Sequence, residues 1–221
     1  MNRAIILVSG GLDSLVTASI AHDENDEVYF LHLNYGQKTE ARELKSFQAI
    51  CDYYHPTDQR VIHLSYIKEF GGSSLVDENL LIPEERVTNE LPSTYVPFRN
   101  GNFICVAVHY AETIKANRIY IGAVEVDGTA YPDCRQNFFL YLQTAINAGL
   151  KNYSLEICTP LIKLSKSEIV RLGVERQVPF HLSWSCYSNN ELACGKCESC
   201  YYRLKSFAAC GCKDPIPYAE N

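Results

Sequence analysis

The chain has 221 residues, a formal net charge of −6 and 47% hydrophobic residues, which is ordinary for one globular α/β domain with a sizeable core. The negative charge argues against a long nucleic acid as partner, because phosphate backbones are held by lysine and arginine. No apolar stretch approaches the ~20 residues that cross a bilayer, and the first residues are strand-like rather than a signal-peptide pattern. We therefore predict a cytoplasmic protein with no membrane partner.

Short apolar runs alternate with helical patterns through most of the chain. The predicted strands cover residues 4–8, 28–33, 61–64, 118–122 and 155–158. The predicted helices cover residues 15–21, 39–54 and 102–116. This alternation is typical of an α/β fold with a doubly wound, mainly parallel sheet. Such sheets bind ligands beyond the carboxyl ends of their strands.

Two stretches depart from this alternation. Residues 67–97 contain several glycines, acids and prolines without a clear period, which predicts either a disordered segment or a lid over a site. After about residue 173 the alternation stops and a cysteine-rich tail begins. We assign residues 1–173 to a nucleotide-binding domain and residues 174–221 to a segment packed on it within one structural unit.

A glycine-rich loop, Ser9-Gly10-Gly11-Leu12-Asp13-Ser14, directly follows the first predicted strand. Glycines let backbone N–H groups approach an anion closely, and a helix N-terminus adds partial positive charge. No Lys-Ser or Lys-Thr follows, so this is not a Walker A loop. Since Asp13 would repel a bare phosphate, we predict a magnesium ion between its carboxylate and the phosphates. The alternative is a plain turn in which Asp13 or Ser14 caps the helix.

Four of the ten cysteines form a closely spaced set, Cys186-x7-Cys194-x2-Cys197-x2-Cys200. Zinc binds four thiolates tetrahedrally, and such a closed site is structural. The alternatives are free buried thiols, a redox Cys-x-x-Cys pair or an iron–sulfur cluster. Spacing that holds over four residues favours zinc, and the uneven placement favours a reducing compartment over a disulfide framework.

Other polar residues allow two interpretations each. Arg99 can clamp a phosphate or carboxylate, or it can form a surface ion pair. Lys166 can reach the phosphates or simply solvate a helix start. Tyr131 could stack on a purine-like ring while Asp133 accepts its N–H groups, although the residues alone favour an ordinary surface loop.

Taken together, these motifs resemble a known family. The glycine loop resembles the pyrophosphate loop of ATP pyrophosphatases, and the Tyr-Pro-Asp-Cys-Arg run at residues 131–135 with the four-cysteine tail resembles the 7-cyano-7-deazaguanine synthase (QueC) family. The resemblance extends from residue 9 to about residue 218 and implies an adenine-nucleotide alpha-hydrolase-like fold and a homodimer. Phe98 departs from the glycine of many members, and Thr129-Ala130 depart from Ser-Gly.

The resemblance also implies the site residues. ATP would be bound by Val8, Ser9, Gly10, Gly11, Leu12, Asp13, Ser14, Leu15, Val16, Thr17 and Ala18. Asp13, Arg99 and Lys166 would be catalytic. The 7-deazaguanine would be bound by Tyr131, Asp133 and Arg135. Structural zinc would be held by Cys186, Cys194, Cys197 and Cys200.

The implied activity joins 7-carboxy-7-deazaguanine and ammonia to give the 7-cyano product at the expense of ATP, through adenylated acid and amide intermediates. This chemistry requires no side-chain nucleophile. Two other readings stay open at this point. The adenylated carboxylate could be joined to another amine, such as a protein acceptor, or the chain could be a non-enzymatic, zinc-stapled nucleotide-binding module.

Overall fold

The computed structural model describes residues 2–84, 91–125, 131–151 and 153–220. The strands are β1 (Arg3–Leu7), β2 (Glu27–Asn34), β3 (Asp58–His63), β4 (Arg118–Tyr120) and β5 (Glu156–Cys158). The helices are α1 (Leu12–Glu24), α2 (Glu40–Tyr54), α3 (Ser65–Phe70), α4 (Arg99–Ile114), α5 (Gln136–Gly149), α6 (Lys166–Glu175) and α7 (Glu198–Ala209). Among the described helices, none has the length and apolarity needed to cross a bilayer.

The five strands form one parallel sheet in the order β3-β2-β1-β4-β5. Alternate residues of β1 point to opposite faces of the sheet: Ala4 and Ile6 pack in one core cluster, while Ile5 and Leu7 pack in the other. Helices α1, α2, α6 and α7 cover the first face, and α3, α4 and α5 cover the second. The predicted doubly wound fold is confirmed. Because the strand order reverses between β1 and β4, their carboxyl ends open the crevice in which such folds bind ligands.

Every predicted strand and helix is present, with shifted ends, but four helices, α3, α5, α6 and α7, were not predicted from the sequence. Helix α3 spans only six residues, which is too short for a helical period to stand out in the sequence. A signal for α6 was present, because Ser165 and Glu168 form a capping box. The N–H of Ser165 donates to Glu168 Oε2 at 2.8 Å, and the N–H of Glu168 donates to Ser165 Oγ at 3.3 Å.

The described parts of residues 67–97 pack against the rest of the chain. Leu75, Val76 and Val96 are buried in the core cluster that includes α4. The N–H of Ser74 donates to Ser93 O at 2.7 Å, and the N–H of Lys38 donates to Leu75 O at 2.9 Å. The described portion is therefore ordered structure rather than a disordered segment. Residues 85–90, like the departing residues Thr129 and Ala130, lie outside the described residues.

A buried ion pair attaches α7 to the last residues of the chain. The Arg203 and Asp214 side chains are each 2% exposed, and Arg203 Nε donates to Asp214 Oδ2 at 2.7 Å. Arg203 Nη2 donates to Asp214 Oδ1 at 3.0 Å, and Nη1 donates to Ser183 Oγ at 2.8 Å and Ser185 Oγ at 3.1 Å. The guanidinium therefore joins three separate pieces of the C-terminal segment.

Arg203→Ala should destabilise the protein strongly, because Asp214 would remain buried without a counter-charge. The expected loss is about 3–5 kcal/mol in the free energy of unfolding. Arg60→Ala is the control, because Arg60 pairs with Asp58 at an exposed position, where an ion pair contributes about 0–1 kcal/mol. Urea unfolding of both variants checks this expectation, and equal losses would contradict it.

Candidate active site

Three backbone segments close around the loop between β1 and α1. Gly10 has φ +87°, and a Cβ there would lie 2.7 Å from the carbonyl oxygen of Glu43 in α2. The backbone N–H of Trp184 donates to Gly10 O at 2.8 Å. On the β4 side, a Cβ on Gly122 would lie 2.9 Å from the carbonyl carbon of Asp13. Only glycine fits at Gly10 and Gly122, so the loop is held in one place.

The N-terminus of α1 has no side-chain cap. Gly11 is the N-cap residue and makes no side-chain capping bond. Ser14 Oγ donates to Gly11 O at 3.0 Å, and the N–H of Gly11 donates to Ser9 Oγ at 3.2 Å. The capping by Asp13 or Ser14 that the alternative interpretation expected is therefore wrong. A helix start without a side-chain cap, preceded by glycines, is typical of sites that bind phosphate.

Asp13 and Lys166 meet beside this loop. Lys166 Nζ, at the start of α6, donates to Asp13 Oδ2. The other oxygen, Asp13 Oδ1, is buried and has no hydrogen-bond partner among the described residues. A buried carboxylate oxygen without a donor fits a hard cation such as magnesium, which prefers oxygen ligands.

A cavity of about 460 Å³ opens at the carboxyl ends of β1, β2 and β4, within the size range of small-molecule sites. Its apolar wall is formed by Leu7, Leu31, Leu33, Phe103 and Ile121. Its charged wall includes Asp13, Glu43, Arg99 and Lys166. The C-terminal segment contributes Trp184, Tyr187, Glu198 and Arg203. Both the predicted nucleotide-binding domain and the cysteine-rich segment therefore line one cavity.

Arg99 is held in the cavity wall by aromatic and polar neighbours. Arg99 Nη1 donates to Tyr35 Oη at 3.0 Å, and its guanidinium lies 5.6 Å from the centre of the Tyr35 ring. The N–H of Tyr35 donates to Gln37 Oε1 at 2.9 Å, and Gln37 Nε2 donates to Glu43 Oε2 at 3.0 Å. Burial raises the pKa of the Glu43 carboxyl. Glu43 was not singled out from the sequence, because nothing in its local pattern shows that α2 reaches the cavity.

The structure separates the three residues predicted to bind the deazaguanine. Tyr131 lines the cavity, and its hydroxyl lies 2.7 Å from Thr94 Oγ1. Asp133 is 4% exposed and does not line the cavity wall; its Oδ2 accepts the backbone N–H of Asn100 at 2.9 Å. Arg135 is exposed and is the N-cap residue of α5. Asp133 thus supports the first turn of α4.

The four predicted metal-binding cysteines come together. Their Sγ atoms all lie within 4.8 Å of one another, and Cys186, Cys197 and Cys200 are buried. Backbone N–H groups point at the sulfurs, including Cys194 N–H to Cys186 Sγ at 3.4 Å. Gly195, with φ +72°, forms the turn of the knuckle. This donor set fits one tetrahedral ion of the zinc type.

Phe98, at a departure from the resembled family, has an unusual backbone conformation. Its φ is +53°, in the left-handed region that favours glycine, and it is the N-cap residue of α4. Its N–H donates to Tyr95 Oη at 3.0 Å. The conformation of position 98 is thus one that glycine adopts without strain.

The sheet order, the uncapped glycine loop and the cavity at the carboxyl ends of the strands are typical of the α/β folds that bind nucleotides. A family model described as "Queuosine biosynthesis protein QueC" matches residues 3–211. The 7-cyano-7-deazaguanine synthase of Nautilia profundicola is 47% identical over 222 residues, covering 100% of both chains. The enzyme of the same name from Chloroherpeton thalassium is 48% identical over 218 residues, covering 98% of this chain and 96% of its own.

The chain therefore belongs to the QueC family, and the predicted enzyme class, a carbon–nitrogen ligase of that type, is confirmed. A solved structure from Methanocaldococcus jannaschii, described as a predicted subunit of tRNA methyltransferase, shares the fold with a TM-score of 0.53. It is 15% identical and covers 100% of this chain and 94% of its own, so it shows the fold alone. The relatives carry the name of the nitrile-forming enzyme and give no support to a different amine acceptor.

Gly10→Ala should destabilise the loop, because alanine would combine a left-handed φ with a close approach to the Glu43 carbonyl. The expected loss is about 1–3 kcal/mol in the free energy of unfolding. Gly149→Ala is the control, since a Cβ at Gly149 meets nothing within 4 Å, and it should change stability by no more than about 1 kcal/mol. Urea unfolding measures both variants; a neutral Gly10→Ala would show that the loop is not constrained.

Proposed function

We propose that the chain converts 7-carboxy-7-deazaguanine and ammonia to 7-cyano-7-deazaguanine in queuosine-precursor biosynthesis, using ATP twice. The observation that carries this proposal is the pairing of Asp13 with Lys166 beside the uncapped start of α1, inside a cavity of nucleotide size. Membership of the QueC family supports the substrate class.

ATP would bind along residues 8–18, with its phosphates at the N–H groups of the loop and of the first turn of α1. Asp13 would hold a magnesium ion that arrives with ATP and polarises the phosphates. Without ATP, Lys166 neutralises Asp13. We propose that Lys166 turns to a phosphate when the nucleotide binds, so that each charge keeps a partner.

Arg203, which also lines the cavity, cannot turn toward a ligand in this way. All five N–H donors of Arg203 are engaged within the protein, by Asp214, Ser183, Ser185 and the carbonyl of Phe180. Among the described cavity residues, Arg99 and Lys166 would therefore neutralise the negative charge of the triphosphate and of the substrate carboxylate. Arg99 lies at the start of α4, where its planar guanidinium can form two parallel hydrogen bonds to a carboxylate or phosphate.

The reaction then proceeds in two activations. A carboxylate oxygen of the substrate attacks the α-phosphorus of ATP, and pyrophosphate leaves. Ammonia attacks the acyl carbon and loses a proton; AMP leaves with the oxygen that attacked phosphorus, and the other carboxyl oxygen remains as the amide oxygen. The amide oxygen attacks the α-phosphorus of a second ATP, and pyrophosphate leaves. Loss of AMP, with its oxygen, and of both amide protons gives the nitrile. The protein positions the reactants and stabilises charge, and no side chain becomes covalently attached.

We further propose that the four cysteines hold structural zinc, which fits a reducing cytoplasm because the thiolates must stay unoxidised. The metal would fix residues 184–200 as one wall of the cavity. The homodimer implied by the family is a prediction that sedimentation of the purified chain can test.

The decisive assay incubates the purified chain with 7-carboxy-7-deazaguanine, ammonia and ATP and measures nitrile, AMP and pyrophosphate. Asp13→Ala should lower AMP formation at least about a hundredfold, because the phosphates lose their cation site. Asp23→Asn, an exposed substitution on the same helix, should leave the rate unchanged.

Each alternative gives a different product pattern in this assay. ADP without pyrophosphate would contradict adenylation. AMP that forms only with an added protein acceptor would favour the other amine reading. Tight ATP binding without turnover would favour a binding module. Full activity of Asp13→Ala would refute the magnesium role.

Cys197→Ser should lose bound zinc and lower the Tm by about 10 °C, because structural zinc contributes folding energy directly. Cys105→Ser is the matched control, since Cys105 is an exposed free thiol outside the cluster. Elemental analysis and calorimetry measure both variants. Unchanged metal content and Tm in Cys197→Ser would exclude the site.

A further inference from the structure

We infer that Tyr35 is a positioning residue, whose hydroxyl aims the Arg99 guanidinium into the cavity without neutralising its charge. The group that this charge would meet is an oxyanion, either the carboxylate of the acid or a phosphate of ATP. The inference rests on the proposed function, which gives Arg99 its ligand, and it adds the residue that prepares Arg99 for that ligand.

Tyr35 has a fixed place at the carboxyl end of β2. It follows the last residue of that strand, is buried, and lines the cavity together with Arg99. Its backbone N–H donates to Gln37, and Gln37 donates in turn to Glu43 of α2. The turn is tight, because Gly36 has φ +81° and a Cβ there would lie 2.7 Å from a side-chain carbon in α3. The Tyr35 ring is therefore held in position before a ligand arrives.

The contacts of Arg99 orient its guanidinium but leave its charge uncompensated. Nη1 donates to Tyr35 Oη at 3.0 Å, and the guanidinium lies 5.6 Å from the centre of the Tyr35 ring and 6.0 Å from that of Phe103. These two rings contact each other, with centres 5.7 Å apart. Within the described part of the chain, Arg99 forms no ion pair and only Nη1 donates a hydrogen bond. Its other N–H donors are therefore available to an oxyanion.

The partner of Arg99 is a neutral group. Burial raises the pKa of Tyr35 above its usual value, so the hydroxyl stays protonated near neutral pH. A carboxylate in its place would form an ion pair that an incoming anion would have to break. Arg203 shows that case, since both oxygens of Asp214 accept from its guanidinium. Because a hydrogen bond with a charged group is stronger than one between neutral groups, Tyr35 can orient Arg99 and still leave its charge for a ligand.

The surroundings of Arg99 strengthen its attraction for an anion. Tyr131 and Tyr187 line the same cavity. Burial raises the pKa of both hydroxyls, and the positive charge of Arg99 acts against this rise in each, which agrees with a guanidinium near both rings. Aromatic neighbours replace water around the charge, and an electrostatic interaction is stronger where water is excluded.

The test is a double-mutant cycle on the full chain. Tyr35→Phe keeps the ring and removes the hydroxyl, and Arg99→Met removes the guanidinium. Calorimetric titration measures the Kd of 7-carboxy-7-deazaguanine and, separately, of ATP with magnesium for the native chain, both single variants and the double variant. Tyr35→Phe should weaken binding of at least one of these anions about tenfold, because a hydrogen bond that orients a charged group is lost. The anion affected identifies the ligand of Arg99.

The second half of the cycle separates positioning from a merely structural role. In the Arg99→Met background, Tyr35→Phe should weaken the same binding by less than about twofold, because the group on which the hydroxyl acts is absent. Tyr153→Phe is the matched control, since Tyr153 Oη donates to Ala111 O at 3.1 Å outside the described cavity, and it should bind both anions like the native chain. The Tm of each variant checks that it is folded.

Two results would overturn the inference. Either Tyr35→Phe leaves both Kd values unchanged, or it weakens binding by the same factor with and without the guanidinium. The titrations need no turnover, so they are read apart from the proposed function. A native chain that binds the anions but forms no nitrile would contradict the proposed function, while the cycle would still decide the role of Tyr35. A native chain that binds neither anion would contradict both.

Discussion

The close packing of backbone around Gly10 is the constraint on which the site depends. The Glu43 carbonyl leaves no room for a side chain there, and the Trp184 amide is bonded to the Gly10 carbonyl. On the other side, Gly122 lies against the backbone of Asp13. Helix α2, the C-terminal segment and the loop after β4 thus all pack against the backbone of the glycine loop between Gly10 and Asp13. The uncapped start of α1 is preorganised before any ligand arrives, which lowers the entropy cost of binding.

The net charge of the chain does not show where its positive side chains lie or how they are paired. A chain of net charge −6 repels anions at long range, so an anionic ligand must be held by local cations. Among the cavity cations described above, Arg203 uses its N–H donors in hydrogen bonds within the protein. Arg99 donates a hydrogen bond to Tyr35, and Lys166 forms an ion pair with Asp13. The positive charge available to a ligand is small and localised, and this favours a short polyphosphate with its own cation over an extended polyanion.

Sequence reasoning located the parts of the site that are local in the chain. The strand, glycine loop and helix at the N-terminus, and the four cysteines, could be predicted because their spacing is itself the signal. Glu43 and Trp184 could not, because each reaches the cavity only through the packing of a distant element. For Asp133 the local motif was misleading. It suggested a contact with the ligand, but the Asp133 carboxylate accepts the Asn100 N–H at 2.9 Å. A short motif shows which residues matter together but not which of them faces the ligand.

The two walls of the cavity would contact different parts of the reactants. In the proposed function the loop, α1 and Lys166 would contact the phosphates, whose chemistry is the same for every acid that ATP activates. The wall formed by Trp184, Tyr187 and Glu198 belongs to the segment that the cysteine cluster organises. If the cluster holds the proposed zinc, its loss would disturb this wall of the cavity before it disturbs the glycine loop, although Trp184 also bonds Gly10. A structural metal far from the reacting atoms would in this way influence substrate choice, because it would fix side chains that line the cavity.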